Sequence, residues 1–581
     1  MPRAFLSAAR VLRAGALLVA AAPGCGASPA ASVAAECGRS SQRIAEIQGS
    51  GAASPLLDQR VAVAGVVSLA PAQIGSQRGF FLQSEPPGSD PRRSDGLFVA
   101  WDAREGMPRS GERVRLLGSV RELNGVTALA ELELLEPCGR APIAARRLTL
   151  DAAALAALGE AGAAENWEGM WIQAHADWTL IDSSALESRG ELGISPSGRA
   201  YAAGHPLARA GTDGVLWKLL GMADAARSWL AADELSEHLR LGARAPELSA
   251  VVLSGSPATL LATAPVDFHA TPPARLQAPA PGALRVAALN LDNYFLQPGA
   301  RGASSELELS RQRSKLVAAL RQLDADILAL SELENEALAP PAALEAAPTP
   351  ATSLSDLISA LDAGLPSDLA YSVSESGSDG SDLIRSALVY RSQRVQPSSP
   401  AWFASSGDFE RAPLLQSFQA GGRTLTVGVV HLKSKLCSGG PQLIGAEGCG
   451  AGTRAAEARA LAALVGALPS AAQDVLLIGD FNSDSEEAPL LELKRAGLAD
   501  LFAGVAAADR YSYVFEGRAT QLDHALASAS LATALSNAQI WHIDADEPAL
   551  FGYGLEHPPQ AFRPDERRCS DHDPILVDFT L

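Results

Sequence analysis

In the C-terminal half of this chain, apolar runs of strand length recur, and each ends in polar or ionisable residues. Asn290 closes RVAALN, Glu332 follows ILALS, His431 closes TVGVVH, and Asp480 and Asn482 close VLLIGDFN. Asp523 lies in QLDHALAS, and Asp571 with His572 opens DHDPILVDF. Uninterrupted apolar runs belong to strands buried on both faces, so the chain must build a sheet covered by further layers. Residues at the strand tips then gather along one edge, where the backbone leaves the sheet. A single Asp or Asn after a strand is an ordinary turn or cap residue. A whole ordered series of them, with two carboxylate–histidine neighbours, exceeds what turn chemistry needs.

Amphipathic stretches such as SRQRSKLVAALRQL (310–323) and TRAAEARALAALVGAL (453–468) alternate with these strands, which predicts an α/β domain over residues 284–581. The Pro- and Ala-rich TPPARLQAPAPGA, residues 271–283, reads as a linker before it. Further upstream, RVAVAGVVSL, GFFLQS, GLFVAW, ERVRLLGSVREL and VTALAELELLE are short strands separated by Gly turns, predicting a small barrel within residues 37–140. Phe80, Phe81, Phe98 and Trp101 could stack on bases there, but core packing is the simpler reading. Residues 146–270 form a second β-rich domain with a helical or irregular centre around 223–243. Its histidines, His175, His205, His238 and His269, are scattered singly and carry no catalytic pattern. The chemical step is therefore expected from residues 284–581 alone, with the barrel assisting capture of long substrates.

Arg3, Arg10 and Arg13 precede AGALLVAAA and a run of small residues, the pattern of an export signal within residues 1–30. Cys25 is a candidate lipid-anchor position, and cleavage near Ala30 by an ordinary signal peptidase is the alternative. No later run is long and apolar enough for a transmembrane helix. An extracellular or envelope location makes disulfides expected: Cys437 with Cys449 around a Gly-rich loop, and Cys37 with Cys138 bracketing the first domain. Cys569 is then left free. With 47 basic and 66 acidic residues the net charge is −19, which argues against broad adhesion to polyanions. A metal-dependent nuclease remains compatible, since its site needs carboxylates and only a local basic rim. Lys433, Lys435, Arg567 and Arg568 are candidates for that rim.

Taken together, Asn290, Glu332, His431, Asp480, Asn482, Asp523, Asp571 and His572 resemble the endonuclease/exonuclease/phosphatase superfamily of deoxyribonuclease-I-like enzymes. GDFN and SDHDP are the most specific pieces. LNLDNYF, HLKSKLCSGG, CGAGTRAAEARAL and YSYVFEGRATQLDHALAS are similar to its subgroup of secreted bacterial nucleases, and IAEIQGSGAASPL with GVVSL and GFFLQS to the OB-like barrel those nucleases carry. The resemblance implies a C-terminal four-layered α/β/β/α sandwich behind two β-rich domains. It also implies a divalent ion, Mg²⁺ with Mn²⁺ or Ca²⁺ as alternatives, held by Glu332 with Asn290 beside it. Asp571 completes that site or orients His572.

The chemistry agrees with this assignment. A phosphodiester repels nucleophiles, so a hard ion on oxygen ligands must neutralise developing charge. Asp480 would orient or deprotonate water, Asn482 would hold a phosphoryl oxygen, and His431 and His572 would bracket the phosphate with Asp523 on the leaving-group side. Deoxyribonucleases pair one histidine with an upstream Glu; here SDLIRSALVYR offers only Asp382, and Arg385 as a phosphate ligand. The expected substrate is extracellular DNA, with RNA as a second polymer. A phosphatase or phosphodiesterase acting on lipid head groups or nucleotides is the alternative, disfavoured because no exposed aromatic hairpin is evident near the active-site loops. A catalytically inert, polyanion-binding envelope lipoprotein is the alternative of another class.

Overall fold

A computed structural model describes residues 41–581 except 86–87, 89, 91, 102–105, 144, 150–162, 209–216, 254–257, 339–351, 375–381, 405–406, 438–446 and 470–473. The expected signal, Cys25 and Cys37 lie outside the described residues. Five strands, β1 (Arg60–Ile74), β2 (Gln77–Gln83), β3 (Gly96–Ala100), β4 (Glu112–Leu123) and β5 (Val126–Arg140), close into a barrel in the order β1-β2-β3-β5-β4. Closure buries the inward face of each strand, Phe80 included, while Phe81 and Phe98 on the outward face pack against Val251 and Leu253 of the middle sheet, and all three rings are 0% exposed. These three rings are core and offer no base a stacking surface.

The middle domain holds β6 (Arg146–Thr149), β7 (Trp171–Asp182), β8 (Glu191–Ser195), β9 (Ala200–Tyr201), β10 (Trp217–Leu220), β11 (Arg244–Leu253) and β12 (Thr259–Ala262). Six of them form a sheet ordered β11-β12-β10-β8-β7-β6, and it closes on itself because β11 also pairs with β7. Helices Ala223–Ala232 and Leu235–Leu239 occupy the expected helical centre. β9 leaves this sheet for another partner, described below.

The last domain carries two sheets. One contains β13 (Leu284–Tyr294), β14 (Ile327–Glu334), β15 (Tyr371–Val373) and β16 (Ile384–Arg391), completed by β26 (Leu535–Ile540) and β27 (Ile575–Phe579), in the order β15-β16-β14-β13-β27-β26. The other contains β17 (Gln396–Pro397), β18 (Trp402–Phe403), β19 (Leu414–Ala420), β20 (Arg423–His431), β21 (Asp474–Asp480), β22 (Ala499–Asp500) and β25 (Asp523–Ala527). A hairpin of β23 (Tyr513–Phe515) and β24 (Arg518–Thr520) stands apart. Val286, Ala288, Ile327 and Ala329 of the first sheet share a core with Val427, Val429, Leu476 and Ile478 of the second. Helices Glu306–Leu323 and Ser353–Asp362 pack on the outer face of the first sheet, and Ala451–Gly466 and Ala488–Arg495 on that of the second. Both faces of the central strands are thus buried, which is why their sequences run apolar without alternation.

The parallel pairs β13–β14 and β20–β21 direct their C-terminal ends to one edge. Cys437 and Cys449 form the expected disulfide, with Cα atoms 5.3 Å apart. Cys138 is disulfide-bonded as well. Cys569 is free and buried. No helix among the described residues is long and apolar enough to cross a membrane.

Candidate active site

Strand register sets the first row of the site. His431 lies beside Asp480 across β20 and β21, and Asp480 lies beside Asp523 across β21 and β25. Gly479 precedes Asp480 at φ +132°, and a Cβ there would meet the Val430 carbonyl oxygen at 2.5 Å, so only glycine lets the two strands approach. The second row comes from the facing sheet, where register breaks between Asn290 and Tyr294 on β13 and between Leu330 and Leu333 on β14. These irregularities turn Asp292 and Glu332 into the left-handed region, at φ +52° and +63°, and Asn482 lies there too at +48°. Non-glycine residues held in that region mark sites where the surrounding structure fixes an otherwise costly backbone.

Asn290 joins the two rows. Its Nδ2 donates to Glu332 Oε1 at 3.0 Å and to Asp480 Oδ2 at 3.3 Å. Glu332 accepts a further bond from the Asn293 amide at 3.0 Å. Asp480 accepts from the Asn482 amide at 2.7 Å and from its Nδ2 at 3.1 Å. Asp480 is 2% exposed; burial, with Asp523 and Glu332 nearby, pushes its carboxyl up to about 7.

The surroundings push the two histidines in opposite directions. Burial disfavours the imidazolium of His572, yet Asp523 and Asp480 outweigh it and hold its pKa well above the ordinary value. His572 Nδ1 donates to Asp523 Oδ2 at 2.7 Å, an oxygen that also accepts from Ser512 Oγ at 2.7 Å. The Tyr513 ring lies 4.7 Å from the His572 ring. His431 is held well below the ordinary value by burial, with Arg411 and His572 adding repulsion. Arg411 Nη1 lies 2.8 Å from His431 Nε2, which must therefore accept, leaving the proton on Nδ1. That buried Nδ1 has no hydrogen-bond partner among the described residues. Arg411 in turn is held by Asp382 at 2.8 Å. An Asp–Arg relay thus stands where the deoxyribonuclease resemblance suggests a carboxylate directly on the histidine.

A second acidic group lies beside Glu332. Asp292 is pushed up to about 7 by burial and by the charges of Asp571 and Glu332, with Arg568 opposing. Glu332 is raised by burial and by Asp571. Carboxylates that press one another toward the neutral form are a donor set suited to a hard divalent cation. Asp480, Asp523 and His572 also bring ligand atoms within 4.8 Å of one another, and the buried acidic and histidine cluster as a whole is consistent with a metal site.

The proposed rim cations are more engaged than the sequence suggests. Arg385 donates to Glu336 at 3.0 Å and to the Glu334 carbonyl, and Lys433 pairs with Glu410 at 2.8 Å. Arg568 bonds the Asp544 carbonyl at 2.8 Å while its charge acts on Asp292. His524 faces away, its Nε2 between the carbonyls of Ser483 and Gln521. Sequence reasoning missed Asp292, Arg411, Ser512 and Tyr513. Asp292 had a signal, since it follows Asn290 at the two-residue strand period. Arg411 had none, because only β19–β20 pairing brings it to His431.

Residues 289–572 match the Endonuclease/Exonuclease/phosphatase family. The chain matches no curated protein sequence. Among solved structures it is similar to D. rerio TDP2 complexed with single-strand DNA product, at 19% identity and TM-score 0.33 over 52% of this chain and 99% of that one. It is also similar to the human Nocturnin catalytic domain with bound sulfate, at 16% identity and TM-score 0.34 over 52% and 96%. A mannosyl-6-phosphatase of Bacteroides thetaiotaomicron is similar at 17% identity and TM-score 0.34 over 51% and 100%.

Proposed function

We propose that the endonuclease/exonuclease/phosphatase family domain in the C-terminal half of this chain is a metal-dependent phosphodiesterase on a four-layered α/β/β/α scaffold, acting on extracellular DNA and, as a second polymer, RNA. The observation that carries the reading is the geometry around Asp480, 2% exposed, whose Oδ2 lies 3.5 Å from His431 Nε2 and 4.0 Å from His572 Nε2. A carboxylate poised near neutrality is suited to take a proton from an attacking water. Asn482 donates from Nδ2 to the Leu432 carbonyl and to Asp480, both at 3.1 Å, which supports a role in fixing the Asp480 carboxylate; to hold a phosphoryl oxygen as well it would exchange one of these bonds. His572, proton-loaded by Asp523, supplies a donor to the oxygen that gains charge as the ester bond breaks. His431, with Nε2 at 3.5 Å from Asp480 and 2.8 Å from Arg411, would bracket the phosphate together with His572. Glu332, Asn290 and Asp571, with Asp292 added, would hold Mg²⁺, Mn²⁺ or Ca²⁺, whose charge would offset that of the phosphodiester. The Cys437–Cys449 bond supports an oxidising, extracytoplasmic location, free or envelope-anchored.

One observation favours a second reading. Contrary to the sequence expectation, the hairpin that brings Tyr513 to His572 also exposes an aromatic, Phe515, at 43%. An exposed ring beside a phosphoesterase site suits a lipid interface, so phospholipid head groups are the alternative substrate. Incubating the purified full chain with supercoiled plasmid, linear duplex, RNA, phospholipid vesicles and a phosphomonoester, with Mg²⁺ or with chelator, separates these readings. Chelator-sensitive cleavage of nucleic acid is expected; cleavage of vesicles or the monoester alone would overturn the nuclease assignment.

A further inference from the structure

We infer that the middle domain is part of the catalytic unit: residues 199–205 clamp the segment 510–513 that holds the His572–Asp523 pair, and Arg199 is the positioning residue of that clamp. The inference rests on the phosphodiesterase reading for its activity measurement only.

Ser512 and Tyr513 touch the pair directly, and Tyr511 reaches it through His542 and Asp573. Ser512 Oγ donates to Asp523, and its carbonyl accepts from the Asp573 amide at 2.7 Å, fixing the backbone next to His572. Tyr513 packs on the His572 ring. The Tyr511 ring stacks on His542 at 4.1 Å, and His542 Nδ1 bonds Asp573 Oδ2 at 2.8 Å. A shift of this segment would therefore move the imidazolium and the carboxylate that charges it together.

The middle domain supplies what holds the segment. β9 adds in parallel to β24, with Ala200 opposite Arg518 and Tyr201 opposite Ala519, so the catalytic hairpin becomes a three-stranded sheet shared by two domains. Tyr201 Oη donates to the Ala508 carbonyl at 3.3 Å. His205, kept neutral by burial, lies with Nε2 at 3.0 Å from the Arg510 carbonyl, while its Nδ1 accepts from the Leu207 amide at 3.1 Å. Arg199 forks onto Asp546 at 2.8 and 3.0 Å and lies over the Tyr511 ring at 4.5 Å. The Tyr511 hydroxyl donates to the same Asp546 at 2.7 Å. Arg199 thus fixes both ends of one tyrosine, the face by its cation and the hydroxyl through the carboxylate it orients. A planar bidentate fork does this and a point charge does it only in part.

The test compares full-length R199M and R199K with the unsubstituted chain on bis(p-nitrophenyl) phosphate, together with amide exchange. R199M should lower kcat on the order of tenfold with KM within about twofold, since only transition-state positioning is lost. R199K should recover part of that loss, and exchange should quicken at residues 510–513 and 573 but not in the barrel. Unchanged kcat in folded R199M, or no advantage of R199K over R199M, would overturn the inference. Should R199M fail to fold, H205A removes an uncharged clamp contact, and a kcat equal to that of the unsubstituted chain would overturn it. If the unsubstituted chain hydrolyses no phosphodiester, the functional reading fails by itself, and exchange at 510–513 still decides the clamp: no change there in R199M or H205A sinks it.

Discussion

Replacing Asp523 with Asn tests the charge arrangement directly. Side chains of His572 and Asp523 are 8% and 3% exposed, with Nδ1 and Oδ2 at 2.7 Å. Two unit charges about 4 Å apart at an effective dielectric of about 20 interact by roughly 4 kcal/mol. Losing the carboxylate should therefore lower the His572 pKa, returning it toward the ordinary imidazole range. If the imidazolium is the donor, the alkaline limb of kcat should move to lower pH in D523N. At pH 8.5 the rate should fall on the order of a hundredfold or more, while at pH 5.5 the two proteins should differ far less. The stability consequence has the same sign. A histidine whose folded pKa is raised contributes stability fully below its unfolded pKa and loses it as pH rises through the folded value. The thermal deficit of D523N should therefore be larger at pH 6 than at pH 10. The assay is phosphodiester hydrolysis from pH 5 to 10 at saturating divalent ion. An alkaline limb left in place in D523N would refute the reasoning.

Glu332→Gln should keep the fold and cost about a hundredfold or more in rate at limiting Mg²⁺; full activity there would defeat the metal assignment. Asp480 and Asp292, both pushed up to about 7, bind protons more tightly folded than unfolded. Metal-free protein should thus lose stability as pH rises from about 4 to about 7, so Mg²⁺ should raise the melting temperature at pH 8 more than at pH 5. Equal gains would count against an ion bound among these carboxylates. Cys437 and Cys449, twelve positions apart, close a loop worth roughly 3 kcal/mol in the chain-entropy model. Arg454 bonds the Cys449 carbonyl at 2.6 Å and Ser483 Oγ at 3.2 Å, so reduction should loosen the GDFN turn and lower kcat as well as stability. A reduced protein of unchanged melting temperature would contradict this. Finally, residues 284–581 alone should not form a stable enzyme, contrary to the sequence expectation. Glu547 and Asp546 would lose Arg240 and Arg199, β24 would lose β9, and Leu550, Phe551 and Ala561, which share a core with the middle region, would be exposed to water. Full activity and a cooperative melt from that fragment would refute it.

The sequence alone determined the layered α/β half, the barrel, and the principal polar row of the site. Their signals are local: an apolar run reports a strand buried on both faces, and the residue at its tip can only emerge at the sheet edge. Cys437 and Cys449 were legible for the same reason, being close in the chain and flanking a Gly-rich loop. Tertiary structure alone decided the charge states and the supports. His431 and His572 look alike in sequence, yet one faces a guanidinium and the other a carboxylate, and burial amplifies the difference. Arg411 reaches His431 from a separate strand end, and Arg199 reaches Asp546 across 347 positions. No periodicity or spacing records such pairings, because each is fixed only when layers and domains pack and a buried charge must find its partner.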